Sequence, residues 1–165
     1  YWCSNDTKLV HFLGKDNIIF HAIFFPAMVM AHGDLVLAEN VPANEFMNLE
    51  GTKQSKSKGH AIYVKDVVDK YNPDSLRYAI ASNMPENKDT DFYWKDLQAK
   101  NNNELGAILG NFVNRTFVFA GKYFEGVVPQ AGEYAEIDNN IINSIKSYTS
   151  SIASYYENYK FRQSD

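Results

Sequence analysis

The 165-residue sequence has one cysteine, Cys3, and no excess of positive charge. A single cysteine excludes an internal disulfide and a multi-cysteine zinc knuckle, and it suits a reducing cytoplasm. Sixteen lysines and arginines stand against 20 aspartates and glutamates, which gives a formal charge of −4. With that balance the chain has no strong overall field for nucleic acid or an anionic membrane, so any anion binding must be local.

The sequence also lacks a long apolar run and a signal peptide. Its most apolar stretch, residues 18–31, is interrupted by His21 and Pro26 and is shorter than the ~20 residues that cross a bilayer. The first nine residues have no basic start, apolar core or small-residue cleavage site. We therefore expect no membrane association and a cytoplasmic location, with residues 18–31 forming a buried helix.

The first sixty residues alternate between strand and helix patterns. Residues 9–13 form a short apolar run that stops at Gly14, which is typical of a buried strand. Asp16 follows, and its carboxylate can accept hydrogen bonds from the free N–H groups at the start of the apolar helix. The helix pattern ends around residues 32–34, and residues 34–41 predict a second strand. Such a succession forms half of a parallel α/β unit.

The rest of the sequence has the spacing of amphipathic helices. Asn72, Pro73 and Asp74 are the residue types of a helix N-cap and first turn. Apolar residues recur at helical spacing on three stretches: Val64, Val67, Val68 and Tyr71; Leu105, Ile108, Leu109, Phe112, Val113, Phe117, Ala120 and Phe124; Ile137, Ile141, Ile145, Tyr148, Ile152 and Tyr159. Gly126 is placed to end the second stretch. Two long helices leave apolar faces open to solvent, so we expect a helix bundle that is incomplete within this sequence.

Residues 51–59, GTKQSKSKG, place three lysines and two serines between two glycines without a carboxylate. We call this segment the lysine loop. Its ammonium groups suit phosphate oxygens and its glycines allow close backbone approach. Taken alone, the same composition is more often that of a solvated linker.

The neighbouring motifs favour the phosphate interpretation. The stretch VHFLGKDNIIFHAIFFPAM, followed by KQSKSKG and then NPDSLRY, resembles the catalytic region of the methionyl-tRNA synthetases, which are class I aminoacyl-tRNA synthetases. The resemblance runs from about Tyr1 to about Gly126. The family signature is Lys-Met-Ser-Lys-Ser, which this chain matches at Lys53, Ser55, Lys56 and Ser57, while Gln54 replaces the methionine.

The resemblance implies an α/β plus all-α fold. Residues 1–60 would be the second half of a Rossmann-type parallel-sheet catalytic domain that carries the lysine loop. Residues 61–92 would be a stem-contact segment, and residues 93–165 part of an anticodon-binding helix bundle.

The resemblance also implies ATP-dependent ligation of methionine to tRNA through methionyl-adenylate. Lys56 would be the principal group that stabilises charge on the phosphates, with Lys53 assisting and Ser55 and Ser57 completing the catalytic motif. Lys58 lies outside the motif, where it either contacts phosphate or is solvated. The implied partners are methionine, ATP as its Mg²⁺ complex, and tRNA(Met).

The turn at residues 14–16 lies where an open α/β sheet binds a nucleotide. By resemblance, Gly14 lets the backbone approach the adenosine and Asp16 bonds its hydroxyl or amino groups, together with Lys53 and Lys56 at the phosphates. Asp16 as a helix cap alone remains the alternative. Lys15 carries no expected role beyond that of an exposed turn residue.

Phe20, His21 and Phe25 are the implied borders of a methionine pocket, in which aromatic rings can contact the thioether sulfur. A lone histidine in an apolar helix is otherwise more often a hydrogen-bonded core residue. The chain departs from the family at Phe25, where tryptophan is common, and at Asn17, where isoleucine is frequent.

Asn111 and Arg115 are spaced i, i+4 and fall on one helix face. Such a pair is usually a solvated surface. The resemblance implies that both contact anticodon bases, since amides and guanidinium groups can bond or stack on splayed bases.

Two further expectations concern parts that these residues do not contain. The sequence has no His-x-Gly-His motif, so we expect the 165 residues alone not to activate methionine. The resemblance places zinc in another part of the enzyme and allows a homodimer through C-terminal regions; the four histidines and Cys3 show no metal-ligand spacing here. Two alternatives stay open: a non-catalytic tRNA-binding module derived from a synthetase, and a class I synthetase for another amino acid.

Overall fold

The computed structural model describes residues 1–4 and 6–163, and the chain forms two compact units. Residues 1–60 and 83–92 form the first, which we call the sheet unit. Residues 61–82 and the chain from Tyr93 onward form the second, the helical unit. The functional roles predicted for segments 1–60, 61–92 and 93–165 stay predictions.

The sheet unit contains short parallel strands, as the sequence predicts. They are β1 (Leu9–Val10), β2 (Leu13–Gly14), β3 (Ala38–Asn40), β4 (Ala43–Asn44), β5 (Met47–Leu49) and β6 (Thr90–Phe92). β1 pairs with β3, β2 with β4 and β5 with β6, and each pairing is parallel. The predicted strands at 9–13 and 34–41 are thereby confirmed, although the first is divided in two and the second begins only at Ala38.

The first two pairings continue one another across a short break. His11 N donates to Asn40 O at 3.1 Å, and Leu13 N donates to Pro42 O at 3.2 Å. Pro42 has no N–H to return, so the regular ladder is interrupted there. The result places Gly14 at the carboxyl end of β2, beside Asn44 at the end of β4.

A helical segment connects β2 to β3. It begins with a 3₁₀ turn at Lys15–Asn17, passes through π-helical turns at Phe20–Phe24 and continues as helix α1, Phe25–His32. Gly33 ends it with a φ of 93°, a left-handed conformation that glycine adopts without steric cost. The predicted helix end at residues 32–34 is confirmed.

The prediction that residues 18–31 are buried is wrong for the described chain. Val29 is buried, with 3% of its surface exposed, whereas Met28 and Met30 are each 70% exposed and Ile23 is 61% exposed. A helix that is apolar on every side needs partners on every side. The sheet unit covers the side of Val29 and leaves the others in contact with solvent.

The helical unit contains α2 (Val64–Val68), α3 (Pro73–Ala81), α4 (Trp94–Ala99), π-helical turns at Lys100–Gly110, α5 (Asn111–Phe124) and α6 (Glu136–Glu157). Asn72 caps α3 as predicted, because its side-chain oxygen accepts from Asp74 N at 2.8 Å. Val67, Ala79 and Leu97 form its buried centre.

The long helices confirm the predicted helical stretches and their solvent-exposed stripes. Phe117 on α5 is 73% exposed and Ile137 on α6 is 67% exposed. α5 ends at Phe124, followed by left-handed residues that include Gly126. α6 ends at Glu157, so Tyr159, which was predicted to continue the stripe, lies outside the helix with a φ of 58°. Within the described residues, no helix is both long enough and apolar enough to cross a bilayer.

Candidate functional site

Lys15, in the turn after β2, is fixed by two carboxylates. Its Nζ contacts the carboxylate of Glu45 and lies 3.0 Å from Asp89 Oδ1. These bonds raise the pKa of Lys15, chiefly through Glu45 and then through Asp89. The pKa of Asp89 is lowered, first by Lys15 and then by the Phe46 N–H, which donates to it at 3.0 Å. The expectation that Lys15 is an exposed turn residue is therefore wrong.

Gly14 and Asp16 lie against each other in the same turn. A Cβ built on Gly14 would lie 3.0 Å from Asp16 Oδ1, so a larger residue would displace the carboxylate. Asp16 does not cap the helix: Gly14 occupies the cap position without a side-chain bond, and Asp16 lies inside the first turn. Its carboxylate instead accepts from Asn17 Nδ2 at 3.3 Å. The carboxylate is exposed beside the end of β2, where it can accept from a ligand hydroxyl.

The predicted methionine-pocket residues separate into two groups. His21 Nδ1 donates to the Asn17 carbonyl at 3.0 Å, and the His21 ring lies 5.3 Å from that of His11. His11 also packs on Phe25 at 5.2 Å between ring centroids. Phe20 is 57% exposed and pairs with Phe24 at 5.9 Å. His21 and Phe25 are therefore joined through His11.

His11 is a member of this cluster that the sequence did not single out. Its Nε2 is inaccessible to solvent and has no hydrogen-bond partner among the described residues. Trp2 extends the cluster through an edge contact with Phe25 at 5.9 Å. A buried unpaired nitrogen beside aromatic rings gives this cluster one polar group that a ligand could satisfy.

The lysine loop is folded back by bonds at both of its ends. Leu49 and Thr52 exchange backbone hydrogen bonds at 2.9 and 3.0 Å, and Ser55 and His60 do so at 2.7 and 3.0 Å. Lys56–Lys58 form a 3₁₀ turn that ends at Gly59, whose φ is 68°.

The side chains of the lysine loop differ in their contacts. Gln54 Nε2 donates to Met47 O at 3.2 Å, and the Ser55 and Ser57 hydroxyls are 3.1 Å apart. Lys56 and Lys58 are exposed and form no ion pair with any described residue. Their ammonium groups are therefore accessible to an anion.

The glycine turn and the lysine loop meet at the ring of Phe46. Lys15 Nζ lies 4.6 Å from the ring centroid and Lys53 Nζ lies 4.9 Å from the same centroid. Cations are attracted to the face of an aromatic ring at these distances. The two motifs that the resemblance assigns to one nucleotide site thus both contact one ring of the sheet unit.

In the helical unit, Asn111 and Arg115 face one surface groove. The groove has a volume of ≈ 580 Å³ and is also lined by Ile108, Phe112, Thr116 and Phe119. Both polar side chains are exposed, and the arginine forms no ion pair with the described part of the chain. Aromatic rings beside an amide and a guanidinium suit an unstacked base.

A second groove in the helical unit was not predicted from the sequence. It has a volume of ≈ 710 Å³ and contains the stacked rings of Tyr71 and Trp94, whose centroids are 5.2 Å apart. Lys70 and Lys95 line it together with amide side chains, and none of its lining residues in the described part of the chain is a carboxylate. No periodic pattern predicts this groove, because its two walls come from separate segments of the chain. In the described chain, no cluster of three potential metal ligands was found.

Comparison with known proteins identifies the family. The sequence model of the family described as "tRNA synthetases class I (M)" matches residues 1–117. Proteins named methionine–tRNA ligase from Christiangramia forsetii and Flavobacterium psychrophilum are 55% and 53% identical over 99% of this chain. The chain spans 24% of the length of each of these two relatives.

A solved structure supports the same assignment. The methionyl-tRNA synthetase of Mycobacterium tuberculosis in complex with methionyl-adenylate aligns with a TM-score of 0.85 and 26% identity. The alignment covers 94% of this chain and 30% of that one. With the matched residues extending over the glycine turn, the lysine loop and the first half of α5, the chain belongs to the class I (M) family of tRNA synthetases.

Proposed function

We propose that the full-length protein ligates methionine to tRNA at the expense of ATP, and that this chain contributes the lysine loop, the adenosine-binding turn and part of the anticodon-binding surface. The relatives named methionine–tRNA ligase and the neighbour solved with methionyl-adenylate support this activity. The chain spans only part of each of them, so the proposal concerns the complete protein.

The observation that carries the proposal is the meeting of two motifs at Phe46. Lys15 brings the turn of Gly14 and Asp16 to this ring, and Lys53 brings the lysine loop to it. A nucleotide held at the turn would therefore have its phosphates within reach of the loop. Lys56, exposed and without an ion pair among the described residues, is the group available to them.

The proposed reaction begins when the methionine carboxylate attacks the α-phosphorus of ATP. A new P–O bond forms to the carboxylate, and the bond to the bridging oxygen breaks, so that its electron pair leaves with pyrophosphate. No protein base is required, because the nucleophile is already an anion. The protein's contribution is to position the reactants and to stabilise negative charge on the phosphate oxygens as it shifts.

Each predicted site residue has a role in this proposal. Gly14 admits the adenosine, and Asp16 accepts from its ribose. Lys56 stabilises the phosphate charge, Lys53 assists after leaving the Phe46 ring, and the Ser55 and Ser57 hydroxyls orient the loop. Phe20, His21 and Phe25 border methionine. Of these three, His21 and Phe25 both pack on the ring of His11.

The remaining substrates and the location follow from the same proposal. ATP would bind as its Mg²⁺ complex, and tRNA(Met) would place anticodon bases against Asn111 and Arg115. We further propose a cytoplasmic enzyme. A zinc site and a homodimer interface are further predictions, and both concern parts of the protein outside these residues.

Replacement of Lys56 by methionine in the full-length protein tests the proposal. Because the ammonium group would stabilise the transition state more than the bound substrates, we expect kcat for methionine-dependent pyrophosphate exchange to fall about 100-fold. The KM for methionine should change little. The measurement is ATP–pyrophosphate exchange under steady-state conditions.

Lys65→Met is the matched control, since Lys65 is an exposed lysine of α2 outside the loop. The control should keep the original rate. A Lys56→Met protein with unchanged turnover would contradict the proposal, as would exchange that leucine or valine supports as well as methionine.

A further inference from the structure

The structure assigns two positioning residues that the loop signature does not contain. We propose that Phe46 and Gln54 hold the lysine loop in a docked position, and that release from this position is part of the energetic cost of closing the loop on ATP. This inference rests on the proposed function, because it concerns the movement that the proposed chemistry requires.

Phe46 is a rigid support. Its N–H donates to Asp89 Oδ1 at 3.0 Å, and its carbonyl accepts from Thr90 N at 3.0 Å. The preceding residue, Glu45, donates its N–H to Pro85 O at 2.8 Å. The backbone that carries the ring is therefore held to the segment that leads into β6, and the ring cannot follow a loop that moves away.

Lys53 is docked on this ring while its neighbour is docked on the backbone. Lys53 Nζ lies 4.9 Å from the ring centroid, and Gln54 Nε2 donates to Met47 O at 3.2 Å. Both contacts connect the loop to residues 46 and 47 at the start of β5. Because the ring of Phe46 stays in place when the loop moves, Lys53 gives up this contact as the loop closes on the phosphates.

The two docking contacts are individually weak, so the docked position can be left. Lys15 lies over the same ring, but its charge is balanced by Glu45 and Asp89. Its repulsion of Lys53 is reduced by those carboxylates. Exposed cation–π contacts and exposed hydrogen bonds each change an equilibrium by about 2- to 10-fold. The two contacts thus raise the population of the docked loop but still allow its release.

Gln54 has the side-chain chemistry that the docked state needs. Methionine, the residue of the family signature, has similar length but no N–H to donate to the Met47 carbonyl. Gln54→Met therefore removes the hydrogen bond while keeping the side-chain volume. Phe46→Leu removes the aromatic face, and Phe46→Tyr keeps it.

The test uses the full-length protein and two readouts. Trypsin cleavage after Lys56 reports how often the loop leaves its docked position, because cleavage of a transiently open segment follows the open population. Each cleavage rate is divided by the rate for an unfolded peptide of the same sequence. The KM for ATP in pyrophosphate exchange reports the cost of closure, since apparent affinity scales with the fraction of protein able to bind.

We expect Phe46→Leu and Gln54→Met each to raise cleavage after Lys56 by about 2- to 10-fold and to lower the KM for ATP by a similar factor. Phe46→Tyr should keep both the cleavage rate and the KM for ATP of the unaltered protein. Phe117→Leu, at an exposed ring on α5, and Gln130→Met, at an exposed connector residue, are matched controls that should leave both readouts unchanged.

Unchanged cleavage in both Phe46→Leu and Gln54→Met would overturn the inference. An equal increase in the controls Phe117→Leu and Gln130→Met would overturn it too. Increased cleavage with an unchanged KM for ATP would overturn the link between docking and closure. Absence of methionine-dependent exchange in the unaltered protein would instead refute the proposed function. The protease readout would still report on docking in that case, so the two failures are distinguishable.

Discussion

Lys15 shows at the residue scale how one side chain organises a site. Its carboxylate partners, Glu45 and Asp89, are 30 and 74 positions away in the sequence. The pKa of Lys15 is raised and that of Asp89 is lowered, so each of these two groups favours the charged form of the other. Acidification towards the lowered pKa of Asp89 is therefore needed to break this ion pair.

Tyr78 and Glu104 form a second interaction whose pH dependence can be predicted. The Tyr78 hydroxyl donates to Glu104 Oε2 at 2.5 Å, and the pKa of Glu104 is lowered from 4.5 by this bond first and then by Lys100. The bond therefore stabilises the fold above pH 4.5 and is lost as the pH falls through the lowered pKa.

We expect Tyr78→Phe to reduce the free energy of unfolding by about 1 kcal/mol at pH 7. The difference from the unaltered protein should shrink as the pH falls below 4.5 and through the lowered pKa of Glu104, because protonation removes the charge that strengthens this bond. Urea unfolding of the full-length protein at several pH values measures this. Tyr148→Phe, at an exposed tyrosine of α6, is the control; a difference that persisted unchanged to pH 3 would exclude this origin.

Residue types alone identified many of the candidate groups but few of their contacts. Gly14, Asp16, Lys53 and Lys56 could be singled out because glycine, carboxylate and ammonium have recognisable roles at nucleotide sites. His11 and Phe46 could not be, because a histidine between two short strands and a phenylalanine just before another strand have no distinctive local pattern. Their importance arises from neighbours that the fold brings to them.

At the scale of elements, helix α5 presents its polar residues to a groove. Asn111 and Arg115 lie one turn apart, and the rings of Phe112 and Phe119 lie beside them. The spacing of i and i+4 explains why both reach the same surface. Helical periodicity is sufficient to predict this arrangement, because it depends on one continuous element.

Replacement of either residue by alanine should affect tRNA charging and not amino-acid activation. We expect kcat/KM for tRNA to fall about 5- to 150-fold for each change, since one lost base contact removes about 1–3 kcal/mol. Pyrophosphate exchange, which needs no tRNA, should be unchanged. Aminoacylation assays of the full-length protein provide the measurement.

Asn114→Ala is the control for this pair, because Asn114 is an exposed residue of α5 that does not line the groove. It should charge tRNA at the original rate. Equal losses in Asn114→Ala and Asn111→Ala would indicate that helix stability, and not base contact, is being measured.

On the scale of the whole molecule, the described chain leaves a large apolar surface uncovered. Met28 and Met30 on α1 and Ile141 and Ile145 on α6 are each more than half exposed. Apolar patches of this kind normally contact another surface.

We therefore expect the 165-residue chain, produced alone, to self-associate and to lack methionine-dependent exchange activity. Light scattering after size-exclusion chromatography measures the association. Replacing Ile141 and Ile145 with glutamate should reduce it, whereas the same change at Asn140 and Ser144 should not. A monodisperse monomer with full exchange activity would contradict this expectation.

The sequence by itself determined the succession of elements, the caps and turns, and the motifs of the two candidate sites. These are local properties: Asn72 caps α3 and Gly33 ends α1 through bonds and backbone angles within a few residues. Tertiary structure alone decided that Lys15 and Lys53 share the ring of Phe46, that β6 pairs with β5, and which side of α1 is buried. Those contacts join residues far apart in the chain, and their energies depend on packing and charge that only the folded chain brings together.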